Sequence, residues 1–148
     1  MPRQAGEEIH RLMAVIEIAR ADDPVMPIQM LQTFLAIAGQ PGISMQQLGA
    51  ILKTSQASCS RNVAALGKWH KFGEPGLDLV EALEDPVERR RKIMFLTPKG
   101  RARAQEILTA IAGKPITDFE AKDSRQYSID RLHSIRGAPS GWRLRKGY

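Results

Sequence analysis

Residues 55–68 contain several short polar side chains and one arginine. The apolar residues of this segment, Cys59, Val63 and Leu66, share one side of a helix. The candidate contact residues are Ser55, Gln56, Ala57, Ser58, Ser60, Arg61 and Lys68. Such side chains near the start of a helix hydrogen-bond to base edges in the major groove of DNA and to phosphate oxygens. We expect Arg61 to contact guanine and Gln56 to contact adenine. Ser58, Ser60 and Lys68 are expected to take phosphate or mixed roles. The alternative for Arg61 is a solvated helix charge.

A second basic cluster falls at the tip of a predicted hairpin and consists of Arg89, Arg90, Arg91 and Lys92, preceded by Glu88. Arginine side chains enter the narrow, negative minor groove of DNA. Because side chains alternate along a strand, adjacent arginines point in opposite directions. The cluster therefore predicts a second DNA contact, or alternatively a charged edge that prevents strand aggregation.

Charge and length agree with such a binding surface. The chain has 148 residues, a net charge of +6 and a pI of about 9.8, as is typical of proteins that bind polyanions. Residues 1–52 are slightly acidic, whereas basic side chains cluster in 53–71, in 89–103 and near the C-terminus. We expect one packed core with a tail and one basic face.

The sequence contains no motif for metal binding or catalysis, and none for secretion or membrane insertion. His10, His70 and His133 share no metal-ligand spacing with Cys59, and there is no phosphate-binding glycine loop, nucleophile elbow or paired-carboxylate motif. The single cysteine cannot form an internal disulfide, and neither a signal peptide nor a membrane-spanning stretch is evident. We expect a cytoplasmic protein that is not an enzyme, needs no cofactor or metal, and does not bind membranes.

Apolar periodicity and capping residues predict the elements that position these groups. Helices are predicted over 6–20, 27–38, 44–52, 55–69 and 98–112. Ser44 and Gln47 have the spacing of a capping box and Ser55 is a second cap, so a very short turn must join two steeply crossing helices. Residues 77–83 and 92–96 indicate a β-hairpin. Beyond residue 116, one further helix is predicted around Tyr127, Ile129, Leu132 and Ile135, followed by a basic tail that contains Trp142.

Two separate segments of this arrangement resemble the MarR-type winged helix-turn-helix regulators. Residues 43–52 and 55–66 are similar to the family's helix-turn-helix. Residues 85–90 and 95–100 are similar to its wing and to the Leu-Thr-Pro-x-Gly start of the following helix. The chain departs from the family at Lys53, where the turn often has glycine, and at Asn62, where an apolar residue is typical.

The resemblance implies a mainly α fold with a small β-hairpin wing (α+β), in a homodimer that binds double-stranded DNA. It also implies that Arg89 reads the minor groove, held by a charge contact with Glu88, while the other wing arginines contact phosphate. Cys59 falls where the family has a buried valine, which favours packing over redox sensing. We also expect the aromatic cluster of Trp69, His70 and Phe72 to close the core rather than to line a ligand pocket.

We interpret residues 1–112 as a DNA-binding domain with an N-terminal amphipathic helix, and 113–148 as a basic extension that is partly helical or disordered. The expected function is sequence-specific regulation of transcription, as a repressor that dimerises through helix 6–20 and the chain after Gly113. One alternative is a non-specific DNA-binding protein of replication or genome handling. Another is an interaction module that acts on the transcription machinery. The sequence identifies no small-molecule effector.

Overall fold

The computed structural model describes residues 3–69 and 73–135. His70 and Phe72 of the aromatic cluster, and the basic tail with Trp142, lie outside the described residues. Within that part of the chain there are six helices and three short strands. They are α1 (Arg3–Asp22), α2 (Ile28–Gly39), β1 (Ile43–Ser44), α3 (Met45–Leu52), α4 (Gln56–Leu66), β2 (Val80–Glu84), β3 (Lys92–Leu96), α5 (Pro98–Ala112) and α6 (Ser124–Ile135).

Side-chain caps set the starts of three helices, as the sequence predicts. Ser44 and Gln47 form a complete capping box, with the Ser44 amide 2.9 Å from Gln47 Oε1 and the Gln47 amide 3.1 Å from Ser44 Oγ. Ser55 Oγ accepts the Ser58 amide at the start of α4. Thr97 Oγ1 accepts the amide of the third residue of α5, whose first residue is proline. These local bonds determine where each helix begins.

Lys53 closes α3 in the left-handed conformation, with φ 52° and ψ 46°, and its amide donates to the Gly49 carbonyl. A lysine in this region costs about 1 kcal/mol more than glycine. This conformation suits the glycine that the resemblance implies for the turn. It also lets α4 begin within four residues of the end of α3, so the two helices form the predicted helix-turn-helix.

The three strands form one antiparallel sheet in the order β1-β3-β2. The hairpin register pairs Val80 with Leu96 and Glu84 with Lys92. The sequence placed the first hairpin strand from residue 77, which is three residues too early. Residues 77–79 instead donate their amides to carbonyls at the end of α4, and the Leu79 amide lies 2.8 Å from the Leu66 carbonyl. This stretch therefore ties the hairpin to α4 before pairing with β3 begins.

Both faces of β3 are buried. Met94 and Leu96 belong to the main core, together with Leu48 and Leu66. Side chains alternate along a strand, so Ile93 and Phe95 lie on the opposite face, and each is only 1% exposed. Part of the cover over that second face comes from the C-terminal segment, whose α6 was predicted only from weak periodicity.

Candidate nucleic-acid interface

The outward face of α4 carries the predicted contact residues of the first cluster. Cys59, Val63 and Leu66 are buried, and the residues between them are turned away from the core. Gln56, Ala57, Ser60 and Arg61 are exposed on α4, and Lys68 is exposed just beyond its end. The helix therefore presents an amide, a hydroxyl and a guanidinium on one accessible surface.

Three of the predicted contact residues also contact one another: Ser55, Ser58 and Arg61. Ser55 Oγ accepts the Ser58 amide at 3.2 Å, and the two hydroxyl oxygens are 3.1 Å apart. Arg61 Nη2 donates to Ser58 Oγ at 3.1 Å. Ser55 thus caps α4, and Ser58 orients the Arg61 guanidinium along the first turns of the helix.

Asn62 lies at the edge of the buried side of α4, at a position where the resemblance implies an apolar residue. Its Nδ2 donates to Gln29 Oε1 of α2 at 3.1 Å. This hydrogen bond satisfies a partly buried amide and fixes α4 against α2. The polar substitution is therefore accommodated by a matching polar partner.

The wing is a tight turn between β2 and β3 that spans Asp85 to Arg91. The Asp85 amide donates to the Arg91 carbonyl at 2.8 Å, and the Arg91 amide donates to the Glu88 carbonyl at 2.8 Å. Arg89 and Arg90 are exposed at the tip. Neither side chain forms a hydrogen bond or an ion pair with any other described residue, so both guanidinium groups are available to a ligand.

Asp85 organises the turn from inside, a role that sequence reasoning missed. Its carboxylate is fully buried, and Oδ1 accepts the Val87 amide at 2.9 Å. Oδ2 accepts Arg91 Nε at 3.0 Å and Arg91 Nη2 at 2.5 Å. Burial raises the pKa of this carboxyl, but the hydrogen bonds from Val87, Arg91 and Glu88 outweigh burial, and the net pKa is lowered. The sequence did contain a signal for this role, because an aspartate often accepts the backbone amide two residues further along in a turn, as Asp85 does with Val87.

Arg91 differs from its neighbours in the basic cluster because its guanidinium is held by Asp85. The same hydrogen bond raises the pKa of Arg91. Glu88 also contacts this residue, with its carboxylate 3.9 Å from Arg91 Nε. The charge contact expected between Glu88 and Arg89 is therefore made with Arg91 instead. The turn directs the first two arginines outward and the third one inward.

One open groove of about 780 Å³ separates α4 from the wing. Its lining combines residues of both predicted clusters with the start of α3: Met45, Gln46, Gln56, Ala57, Ser60, Glu88, Arg90, Arg91 and Lys92. Arg61, Lys68 and Arg89 lie outside this lining. Met45 and Gln46 were not predicted, although their position directly after the Ser44 cap could have indicated them. Two clusters almost 30 residues apart in sequence thus form one concave, mainly basic surface.

Two other sequence expectations have different outcomes. Cys59 is fully buried, which confirms its packing role, and burial raises the pKa of the thiol. Trp69 was expected in the core, and this was wrong, because its side chain is 64% exposed. Its backbone instead forms an isolated bridge with Pro75.

Among the described residues there is no cluster of acidic, histidine and cysteine side chains that could hold a metal ion. The described residues also include no helix that is long and apolar enough to span a bilayer.

No protein-family model and no curated protein sequence matches the chain. Solved structures do match it over most of its length. The S. aureus MepR–DNA complex gives a TM-score of 0.58 at 13% identity and covers 91% of this chain and 94% of MepR. RV1404 from Mycobacterium tuberculosis gives a TM-score of 0.55 at 16% identity, with 87% and 86% covered. The fold is the MarR-type winged helix. The PcaV transcriptional regulator of Streptomyces coelicolor shares this winged helix with a TM-score of 0.50, 17% identity and 93% and 92% covered.

Proposed function

We propose that the protein is a sequence-specific regulator of transcription that binds double-stranded DNA and acts as a repressor. The observation that carries this proposal is the groove lined jointly by α4 and the wing. An α-helix fits the major groove, and an arginine-bearing wing fits the neighbouring minor groove. The likeness of the fold to MepR, which was solved bound to DNA, supports the same use of the surface here.

Each contact residue has a role that follows from its chemistry. Arg61, oriented by Ser58, is the candidate for bidentate recognition of guanine, and Gln56 for adenine. Arg89 and Arg90 lack partners among the described residues, so they can enter the minor groove or bind phosphate without first breaking an ion pair. Arg91 contributes by holding the turn. The two exposed arginines are thus assigned to DNA contact, and the engaged Arg91 is assigned to the structure of the wing.

A homodimer follows from an apolar stripe that the chain itself leaves exposed. On α1 and α5 the stripe consists of Ile9, Leu12, Met13, Ile16, Leu108 and Ile111. The two helices pack against each other, and Arg11 Nη1 of α1 lies 3.5 Å from the Ile111 carbonyl of α5. Several exposed large apolar side chains on two packed helices favour a site of protein association. Dimeric helix-turn-helix proteins read two half-sites about one DNA turn apart, so a two-fold dimer formed through this stripe predicts an inverted-repeat operator.

The test is selection of bound fragments from random duplex DNA at two salt concentrations. Arg61→Ala is compared with Arg20→Ala, which removes the same charge from α1, away from the groove. We expect an inverted-repeat motif for the parent and the control. In the Arg61→Ala protein the preference at one base pair should relax, with a cost of about 1–3 kcal/mol.

The other outcomes separate the alternatives. Salt-sensitive binding without a motif would replace the proposal with a non-specific DNA-binding role in replication or genome handling. Absence of binding at both salt concentrations would contradict DNA binding altogether. It would favour an interaction module that acts on the transcription machinery.

A further inference from the structure

The C-terminal helix α6 lies against the sheet that carries the wing. The Tyr127 ring contacts Phe95 of β3 edge-on, with centroids 5.2 Å apart and planes at 68°. The same ring lies so close to Gly42 that a Cβ at this position would overlap it. Gly42 in turn donates its amide to the Met94 carbonyl at 2.8 Å. Tyr127 therefore packs on β3 and on the turn that precedes β1 at once.

One helical turn further along α6, Arg131 reaches the base of the wing. Residues four apart share one helix face, so Tyr127 and Arg131 both point toward the sheet. Arg131 Nη2 lies 3.7 Å from Oδ2 of Asp85, the buried carboxylate that organises the wing turn. The Arg131 side chain is 29% exposed, and its Nε is buried without a hydrogen-bond partner in the described structure. The guanidinium is thus partly buried and lies within ion-pair distance of Asp85.

Asp85 therefore faces two guanidinium groups, one from inside the turn and one from α6. Arg91 belongs to the turn itself, whereas Arg131 belongs to a separate helix, α6, that packs on the face of β3 turned away from the main core. A charge held on a separate element restrains the orientation of the turn relative to the sheet. The exposed tip residues Arg89 and Arg90 are carried by this turn.

We propose that α6 is a support for the wing, in which Arg131 is a positioning residue that orients the tip arginines for DNA through Asp85 without touching DNA itself. The inference rests on the proposed function for its DNA readout. Tyr127 packs on β3 and thereby holds α6 in place, so Tyr127 and Arg131 together support the wing. The C-terminal segment is then part of the binding machinery even though it lies outside the groove.

The first test measures DNA affinity and its salt dependence in the full-length protein. Arg131→Gln is compared with Arg125→Gln, which removes the same charge from an exposed position of α6, and with Arg131→Lys. We expect Arg131→Gln to weaken binding about fivefold, as for a partly exposed ion pair, and Arg131→Lys to recover most of the loss. The slope of log affinity against log salt should stay unchanged in Arg131→Gln, whereas Arg89→Ala should lower it by about one.

The second test needs no DNA, and it follows hydrogen exchange of the Val87 and Glu88 amides, both of which point at Asp85. Faster exchange in Arg131→Gln than in Arg125→Gln is expected. Equal exchange together with unchanged affinity would overturn the proposal. So would a salt slope lowered by one, because Arg131 would then contact phosphate itself. If the parent protein bound no DNA, the proposed function would fail, while the exchange result would still decide whether α6 supports the wing.

Discussion

Replacing Asp85 by asparagine tests whether the wing turn is organised by a buried charge. Asparagine keeps the shape of aspartate, and its Oδ1 can still accept the Val87 and Glu88 amides, which lie 2.9 and 3.4 Å from Asp85 Oδ1. What is lost is the carboxylate oxygen that accepts Arg91 at 3.0 and 2.5 Å. The amide group placed there presents donors to a guanidinium, which is itself only a donor.

The expected cost is about 2 kcal/mol of unfolding free energy. Removing one partner of a fully buried ion pair costs about 3–5 kcal/mol. Asp85 is fully buried, but the Arg91 side chain is 33% exposed, so water can replace part of the lost interaction. The loss of the Arg131 contact at 3.7 Å adds little, because that contact is longer and also partly exposed.

The cost should also depend on pH in a defined direction. The pKa of Asp85 is lowered in the folded protein, because the hydrogen bonds from Val87 and Arg91 outweigh the effect of burial. Its contribution is therefore complete above the unfolded pKa of about 3.9 and is lost as pH falls through the folded-state pKa. The stability difference between the parent and Asp85→Asn should shrink as pH falls below about 4.

Urea unfolding at neutral and acid pH measures both effects, with Glu88→Gln as the matched control. That control makes the same acid-to-amide change in the same turn, but its ion pair with Arg91 is exposed and 3.9 Å long, so we expect at most about 0.5 kcal/mol. Equal costs for Asp85→Asn and Glu88→Gln would refute the reasoning. A difference that persists unchanged through acid pH would show that the charge of Asp85 is not its source.

Three further substitutions address the scaffold by thermal or urea unfolding. Gly100→Ala should cost about 2 kcal/mol or more, because its Cβ would overlap the backbone carbonyl just before β2. In its control, Gly39→Ala, the new Cβ meets no neighbour, so this change should be neutral or stabilising. Ser44→Ala removes the capping box of α3 and should cost about 1 kcal/mol. Asp22→Asn should cost about 2 kcal/mol, since this nearly buried carboxylate accepts Arg103 at 2.7 and 3.0 Å between α1 and α5. A cost below about 0.5 kcal/mol in any of these three would contradict its stated contact.

Features that depend on near neighbours in sequence could be predicted. The starts of α3, α4 and α5 follow from caps whose donors and acceptors lie three residues apart. The buried side of α4 follows from helical spacing. These interactions form within a single turn of chain, so the residues that make them are visible in a short window of sequence.

Features that depend on partners distant in sequence could not be predicted. The strand β1 exists because Ile43 and Ser44 pair with Met94 and Ile93, about 50 residues away. The hairpin begins late because residues 77–79 bond to α4. Nothing in either local pattern reveals these partners. The continuous apolar run of β3 was a signal for burial on both faces, but it does not say which segment covers the second one.

Part of the candidate site could likewise be predicted from nearby residues, and part of it depends on contacts that only the folded structure shows. Residue types alone indicated α4 and the basic cluster of the wing. They could not indicate that three consecutive arginines would differ, with Arg91 turned inward to Asp85 while Arg89 and Arg90 remain exposed. That difference depends on the conformation of the turn, which the Asp85 carboxylate determines through the backbone amides that it accepts. Roles within such a cluster require the turn geometry.

The position of α6 also limits how two copies can associate. The sequence suggested that the chain after Gly113 would share in a dimer interface with α1. In this structure Tyr127 covers Phe95, and moving α6 to a partner would expose an aromatic side chain that is now 1% exposed. Exposing a fully buried side chain of this size costs about 1.5–3 kcal/mol, and the contact of Arg131 with Asp85 would be lost as well. The exposed stripe on α1 and α5 can be covered without that cost, so a dimer of the proposed kind should use the stripe while α6 remains beside the wing.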